Sequence, residues 1–260
     1  MKLSLLFIFV TTFMSCTSRE RQSEDGVGRL PDWAFGGFER PENVNPVISP
    51  IDNTWFYCPL TEDSVAWESN DTFNPAATIY DEKIVVLYRA EDKSGIGIGR
   101  RTSRLGYATS VDGVTFQRRS TPVFYPDNDL QKSLEWPGGC EDPRIAVTVD
   151  GLYVMMYTQW NRDIPRLAVA TSKDLVHWTK YGPAFAKAYD GKFYNMACKS
   201  GSILTELIDG RQVIKKVGGK YFMYWGEEHV FAATSEDLVN WTPIVNIDGS
   251  LKRLFSPRAG

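Results

Sequence analysis

Histidine and cysteine are scarce, with 2 and 4 residues among 260. His177 and His229 stand far apart, no C-x-x-C pair occurs, and His229 beside Glu227 and Glu228 has no partner at ligand spacing, so no metal site is expected. Once Cys16 is assigned to an export signal, Cys58, Cys140 and Cys198 remain. That odd number does not indicate a disulfide framework, and the three read as small buried hydrophobes. Basic clusters are also missing: nothing exceeds pairs such as Arg100–Arg101, and the formal net charge is -3. The electrostatic footprint of a nucleic-acid-binding protein is therefore absent. No apolar run is long enough to cross a bilayer, the longest being residues 3–14. No long segment carries the 3.6-residue period of an amphipathic helix.

What is present begins with that short apolar run. MKLSLLFIFVTTFMSC has a basic start, an apolar centre and Ser15–Cys16, which reads as an export signal and resembles that of a bacterial lipoprotein. The resemblance implies lipidation at Cys16 and a protein held at a membrane in the periplasm or at the outer membrane surface. Free secretion after ordinary cleavage is the alternative. Residues 1–16 are thus the signal, 17–32 a polar flexible tether, and 33–260 the folded domain. At 43% hydrophobic and 13% aromatic, the chain has ample material for a core.

Self-similarity organises the remainder. RLGYATSVDGVTFQR (104–118), RLAVATSKDLVHWTK (166–180) and HVFAATSEDLVNWTP (229–243) each run from a strand-like segment into A-T-S, an acidic turn and an aromatic. Their serines, Ser110, Ser172 and Ser235, recur about every 62 residues. A second apolar strand precedes each copy: KIVVLYRAED, GLYVMMYTQW and GKYFMYWGEE. Further upstream lie FNPAATI, EDPRIAV and KSGSIL. Three or four antiparallel strands per repeat predict an all-β fold of β-propeller blades, with a β-sandwich as the alternative. Trp178 and Trp241 recur at strand ends and are expected in the blade core, while His177 is expected at the surface.

The last residues, SPRAG, repeat the opening of FNPAA and EDPRI. They suggest a further blade beginning where the chain stops, so only about the first three blades are expected here, in a truncated chain.

In a propeller, the first strand of each blade lines the central channel. Asn74–Pro75, Asp142–Pro143 and Ser256–Pro257 each place a short polar side chain at such a strand start, with proline biasing the preceding residue to an extended backbone. On an extended backbone Glu141 and Asp142 face opposite ways, and Asp142, the counterpart of Asn74, is the one expected in the funnel. Arg89, Glu91, Asp92, Trp160, Arg162, Trp225, Glu227 and Glu228 sit at comparable strand ends. Carboxylates, arginines and tryptophan faces together suit a sugar.

FNPAA, LYRAED, SRLGYATSVDG, GGCEDPRI, YTQW, RLAVATSKDLVHW, KSGSI and KYFMYWGEEHVFAATS, in this order from about Trp33 to Gly260, resemble the family-130 glycoside hydrolases and phosphorylases. These are five-bladed propellers acting on β-mannosides. The resemblance implies Asp142 as general acid, and Asn74, Arg89 and Asp92 in the mannose subsite. It implies Arg104, Arg144 and Lys199 as basic positions on the nucleophile side, and no cofactor. Members divide by nucleophile. Phosphorylases hold inorganic phosphate as co-substrate in a cationic cluster, whereas hydrolases need a carboxylate to activate water. W-G-E-E-H supplies Glu227 and Glu228, and the export signal points the same way. The expectation is an exported, inverting β-mannosidase acting on mannooligosaccharides with Glu227 or Glu228 as base. A phosphorylase releasing mannose 1-phosphate is the alternative, and a non-catalytic sugar-binding lipoprotein a further one. No pattern speaks to oligomeric state.

Overall fold

The computed structural model describes residues 42–256. The signal with Cys16, the tether and Pro257 onward lie outside the described residues, as does the fourth strand start expected at Ser256–Pro257.

A hairpin of β1 (Phe56–Cys58) and β2 (Asp63–Val65) precedes three antiparallel meanders, one per sequence repeat. The first is β3 (Asp71–Tyr80), β4 (Lys83–Glu91), β5 (Ser103–Ser110) and β6 (Gln117–Arg118). A single helical turn, α1 (Lys132–Glu135), leads to the second: β7 (Gly139–Val147), β8 (Tyr153–Trp160), β9 (Pro165–Ser172) and β10 (Thr179–Pro183). The third opens with β11 (Ser202–Ile203). A hairpin of β12 (Thr205–Ile208) and β13 (Arg211–Ile214) and the short β14 (Lys216–Val217) then intervene before β15 (Lys220–Trp225), β16 (Phe231–Ser235) and β17 (Trp241–Pro243). The fold is all-β apart from one helical turn among the described residues.

The inserted β12–β13 hairpin has no counterpart in the other repeats, and the sequence reading missed it. Its signal was available in TELIDGRQVI, an alternating segment around Asp209–Gly210. Both turn residues have positive φ (50° and 73°), as a two-residue hairpin turn demands.

The repeated T-S segments make the same turn three times. Ser110 Oγ accepts from the Gly113 N–H, Ser172 Oγ from that of Leu175, and Ser235 Oγ from that of Leu238. The carboxylates of Asp112, Asp174 and Asp237 accept from the backbone N–H groups two and three residues on, closing an Asx-type turn. The fourth residue of each turn is left-handed: Gly113, Leu175 and Leu238 have φ of 75°, 61° and 67°. Leu175 and Leu238 are buried and their carbonyls accept from the indoles of Trp178 and Trp241. The two indoles therefore brace the second and third turns, with Trp241 buried and Trp178 partly buried. His177 is exposed and paired with Asp174.

Alternation along β8 explains why YVMMY is apolar throughout. Val154 and Met156 pack with Ile203, Met223 and Trp225 of the third meander. Tyr153, Met155 and Tyr157 pack with Val85, Leu87 and Leu105 of the first. Strand β8 is thus buried on both faces, and each such side chain contributes about 1.5–3 kcal/mol by leaving water. Cys58, Cys140 and Cys198 are all buried free thiols.

The first and second meanders also touch through one parallel pair, Ser103 with Gly139. Gly139 has φ +120°, and a Cβ there would lie 2.2 Å from the Ser103 carbonyl oxygen. Glycine is required at this approach, which carries the following Glu141 to the first meander.

Candidate active site

The first strands of the first two meanders are broken at the same place. In β3 the register shifts between Phe73 and Ala76, and in β7 between Glu141 and Arg144. Asn74 and Asp142 have φ of 45° and 52°, and Ser200, their counterpart in K-S-G-S-I, has 62°. The extended backbone expected before Pro75 and Pro143 is therefore incorrect. A bulge places Asn74 and Asp142 in the left-handed region, which Asn and Asp tolerate better than most side chains.

The bulge also overturns the expected separation of Glu141 from Asp142 onto opposite faces. Both carboxylates meet one guanidinium: Arg89 Nη1 donates to Asp142 Oδ1 over 3.0 Å, and Nη2 to Glu141 Oε1 over 2.8 Å. They differ in access instead. Asp142 lines the cleft, while Glu141 lies beneath it with 6% of its surface exposed.

The cleft has a volume of about 440 Å³. Its walls are Asn74 to Ala77 of β3, Asp142 to Ile145 of β7, Lys199, Ser200, Ser202, Glu227, and Thr205 and Gln212 of the inserted hairpin. The structure thus brings together five predicted residues: Asn74, Asp142, Arg144, Lys199 and Glu227. Thr205 and Gln212 were missed along with their hairpin. Asn74 Nδ2 donates to Asp142 Oδ1 over 2.8 Å. Lys199 Nζ and Glu227 Oε1 pair at 3.1 Å. The Gly226 N–H donates to the Lys199 carbonyl over 3.1 Å, fixing the turn that presents Glu227. Gly226 has φ +120°, and a Cβ would meet the His229 carbonyl oxygen at 2.1 Å, so W-G-E-E-H needs its glycine.

Other predicted residues sit elsewhere among the described residues. Glu228 is exposed and is not on the cleft wall. Arg104 is 1% exposed and its Nη1 donates to Asp92 Oδ2 over 2.7 Å, with Nη2 against Cys58 Sγ at 3.7 Å. This buried pair does not line the cleft. Burial alone would raise the Asp92 carboxyl, but the Arg104 charge and the Ser94 hydrogen bonds outweigh it and hold the group below its ordinary value. The tryptophan platforms are a further correction. Trp225 is buried against Phe185 and Phe231, Trp160 donates to the Gly99 carbonyl, and among the described residues no aromatic lines the cleft.

Arg89 lies under the cleft rather than on it, and the sequence reading missed the network around it. Its Nη2 also donates to Glu91 Oε1 over 2.6 Å, and its Nε to Ser103 Oγ over 3.1 Å. Ser103 Oγ lies 3.2 Å from both Glu91 Oε1 and Glu141 Oε1. Arg101 Nη1 reaches Glu91 Oε2 over 3.2 Å and pairs with Asp71. Burial pushes the Glu141 carboxyl up to about 7; Arg89 and Ser103 oppose that rise, and the Asp142 and Glu91 charges add to it. Desolvation would lower Arg89, but the three carboxylates outweigh it and raise the guanidinium above its ordinary value. Among the described residues, no group of three or more His, Cys, Asp or Glu is placed to hold a metal ion.

Chemically, the cleft combines an acid bound by two donors (Asp142), a second carboxylate (Glu227), two cations (Arg144 and Lys199), and hydroxyl and amide groups able to meet sugar hydroxyls.

Known proteins share this fold. A crystal structure of a glycosyl hydrolase from Bacteroides ovatus is 82% identical with a TM-score of 0.87, covering 89% of this chain and 64% of that one. A second structure, 80% identical with a TM-score of 0.87, covers 89% of this chain and 65% of that one. It is described in the words "The GH130 family of mannoside phosphorylases contains glycoside hydrolases that target beta-1,2 mannosidic linkages in Candida mannan". A 1,2-beta-oligomannan phosphorylase of Thermoanaerobacter sp. (strain X514) is 37% identical over 184 residues, 67% of this chain and 53% of that protein. The chain spans about half the length of the curated relatives it matches. A family model described as beta-1,4-mannooligosaccharide phosphorylase matches residues 38–259. The chain belongs to glycoside hydrolase family 130, the family of the mannoside phosphorylases.

Proposed function

We propose that the whole protein cleaves β-linked mannosides with inversion, with Asp142 as general acid and water activated by Glu227 as nucleophile. The observation that carries this reading is Glu227 on the wall of the same cleft as Asp142. An inverting hydrolase needs one carboxyl group to protonate the leaving oxygen and a second to take a proton from water. Of the two glutamates in W-G-E-E-H, the cleft favours Glu227 as base. The names of the relatives favour β-1,2-linked mannooligosaccharides as substrate. We also take the three meanders as the first three blades of a five-bladed propeller, and the leader ending at Cys16 as the source of export and a lipid anchor. The meanders and the leader sequence support these two readings respectively.

Phosphorolysis is the second reading, and the family description and both curated relatives back it better than they back hydrolysis. In that case Arg144 and Lys199 hold inorganic phosphate, which attacks directly and leaves mannose 1-phosphate. A carboxylate already paired with Lys199 weighs against it, because Glu227 repels the phosphate that Lys199 would attract. The whole protein, given β-1,2-mannooligosaccharides with and without phosphate, is expected to release free mannose at the same rate in both. Strict phosphate dependence with mannose 1-phosphate as product would replace water by phosphate.

A further inference from the structure

No aromatic side chain among the described residues lines the cleft, and a second cavity supplies three: Phe124, Tyr125 and Trp178. Its volume is about 530 Å³, inside the range of about 300–1,000 Å³ usual for small-molecule sites, and it shares no residue with the cleft. Two segments form its walls, the connector leading to α1 (123–131) and the turn into β10 (176–180). In the sheet, β10 is the outermost strand of the second meander and β7, which carries Asp142, lies three strands inward. At about 4.8 Å per strand that is a separation of about 14 Å.

The two partly buried rings are held from behind. The Trp178 indole N–H donates to the Leu175 carbonyl over 3.1 Å, and the ring meets Phe124 in an edge contact at 6.0 Å. Tyr125 packs against Phe56 at 4.6 Å. Rings fixed in this way lose little freedom when a ligand stacks on them.

The polar groups select against a charged ligand. Among the described residues, Lys180 is the only lysine or arginine on the wall. Its Nζ is already taken by Glu135 Oε2 at 2.5 Å, Asp129 Oδ2 at 3.1 Å and the Tyr125 carbonyl at 2.7 Å. With Asp127 and Asp129 beside it, the cavity repels an anion. No group of three or more His, Cys, Asp or Glu among the described residues is placed to hold a metal ion. What remains can hydrogen-bond. Asp127 accepts from the Asn128 N–H with Oδ1 and keeps Oδ2, Gln131 accepts from Gln159 with Oε1 and keeps its amide donors, and Thr179 is exposed. Donors and acceptors around an aromatic face suit a neutral ring rich in hydroxyls.

We propose that this cavity is a second saccharide site, outside the cleft, in which a mannosyl ring of an oligosaccharide stacks on Trp178 and its hydroxyls bond to Asp127, Gln131 and Thr179. It holds substrate chains near the cleft, raises their local concentration there, and takes no part in breaking the bond. The choice of a mannoside rests on the reading of the substrate given above. It does not depend on whether water or phosphate is the nucleophile.

The test counts bound ligands. In the whole protein, Asp142→Asn removes the acid and should slow turnover by at least about 100-fold, slow enough for equilibrium dialysis against β-1,2-mannotetraose. Two ligands per chain are expected, and one when Trp178→Ala is added. Because that indole also braces its turn, Asp127→Ala with Thr179→Val provides a second variant. It should weaken the outer site by at least about tenfold at an unchanged melting temperature, the scale of two lost hydrogen bonds. With Asp142 intact, Trp178→Ala should turn over mannobiose within about twofold of the parent, while kcat/KM on a long β-1,2-mannan falls at least about threefold.

One ligand per chain with the cavity intact overturns the proposal, and so do two ligands in both cavity variants. If no form binds mannotetraose and the parent does not turn it over, the mannoside reading itself falls, and this occupant with it.

Discussion

Asn74 and Asp142, 68 residues apart, occupy the same left-handed bulge in neighbouring meanders, and the amide of the first donates to the carboxylate of the second over 2.8 Å. The repeat places two polar side chains at equivalent strand starts, and the bulge turns them toward each other. Asn74→Gly tests this contact cleanly, because glycine adopts φ of 45° without strain. As the general acid gives up its proton Asp142 becomes charged, and a hydrogen bond to a charged group is worth about 1.5–3 kcal/mol. The variant should keep a melting temperature near that of the parent while kcat on oligosaccharides falls about 10- to 100-fold.

Asp142 could be singled out in the sequence because its position repeats Asn74, and repetition survives translation into structure. The reason given for it, an extended residue before proline, fails because φ is set by the bulge and not by Pro143. The cleft's third wall shows the complementary limit. The segment K-S-G-S-I is legible from the repeat and Lys199 within it from the family resemblance, but Thr205 and Gln212 lie on a hairpin outside both. Arg104 and Asp92 show another: strand-end position cannot tell a side chain facing a cleft from one folded back under it.

Arg104 accordingly should behave as a stability residue. It and Asp92 are a buried ion pair, and removing one partner strands the other charge at a cost of about 3–5 kcal/mol. Arg104→Met should lower the denaturation midpoint sharply, and combining it with Asp92→Asn should recover part of that loss. Chemical denaturation of the two variants checks this. A large rise in KM at unchanged stability would instead return Arg104 to the substrate.

Glu227 gives an activity prediction that also separates it from its neighbour. Glu227→Gln keeps the size of the side chain but cannot take a proton from water. Hydrolysis of mannooligosaccharides should fall by at least about 100-fold, the usual scale for a general base. Glu228→Gln, off the cleft wall, should stay within about twofold of the parent, a shift too small to register as a catalytic role on that scale. Comparing the two initial rates by mannose release decides between them. A reversed order would move the base to Glu228.

The repeated Asx turns make the fold sensitive to acid in a defined window. Asp237 is held down at about 2, because its hydrogen bonds from Asn240, Val239 and Ser235 outweigh a desolvation that would raise it. Its ordinary value is 3.8, so below that the unfolded chain binds the proton more readily than the folded one. The stabilisation is therefore fully present above about pH 4 and is lost as pH falls toward about 2. Asp237→Ala removes the turn closure and should lower the melting temperature at pH 7 by about 2–4 °C, the scale of a lost side-chain cap in a domain of this size. Because the variant has no carboxylate to protonate, its melting temperature should also decline less steeply than the parent's between about pH 4 and pH 2. Thermal melts across that range test both the size of the effect and its direction, and parallel acid profiles for parent and variant would mean that the turn carboxylate is not what acid titrates.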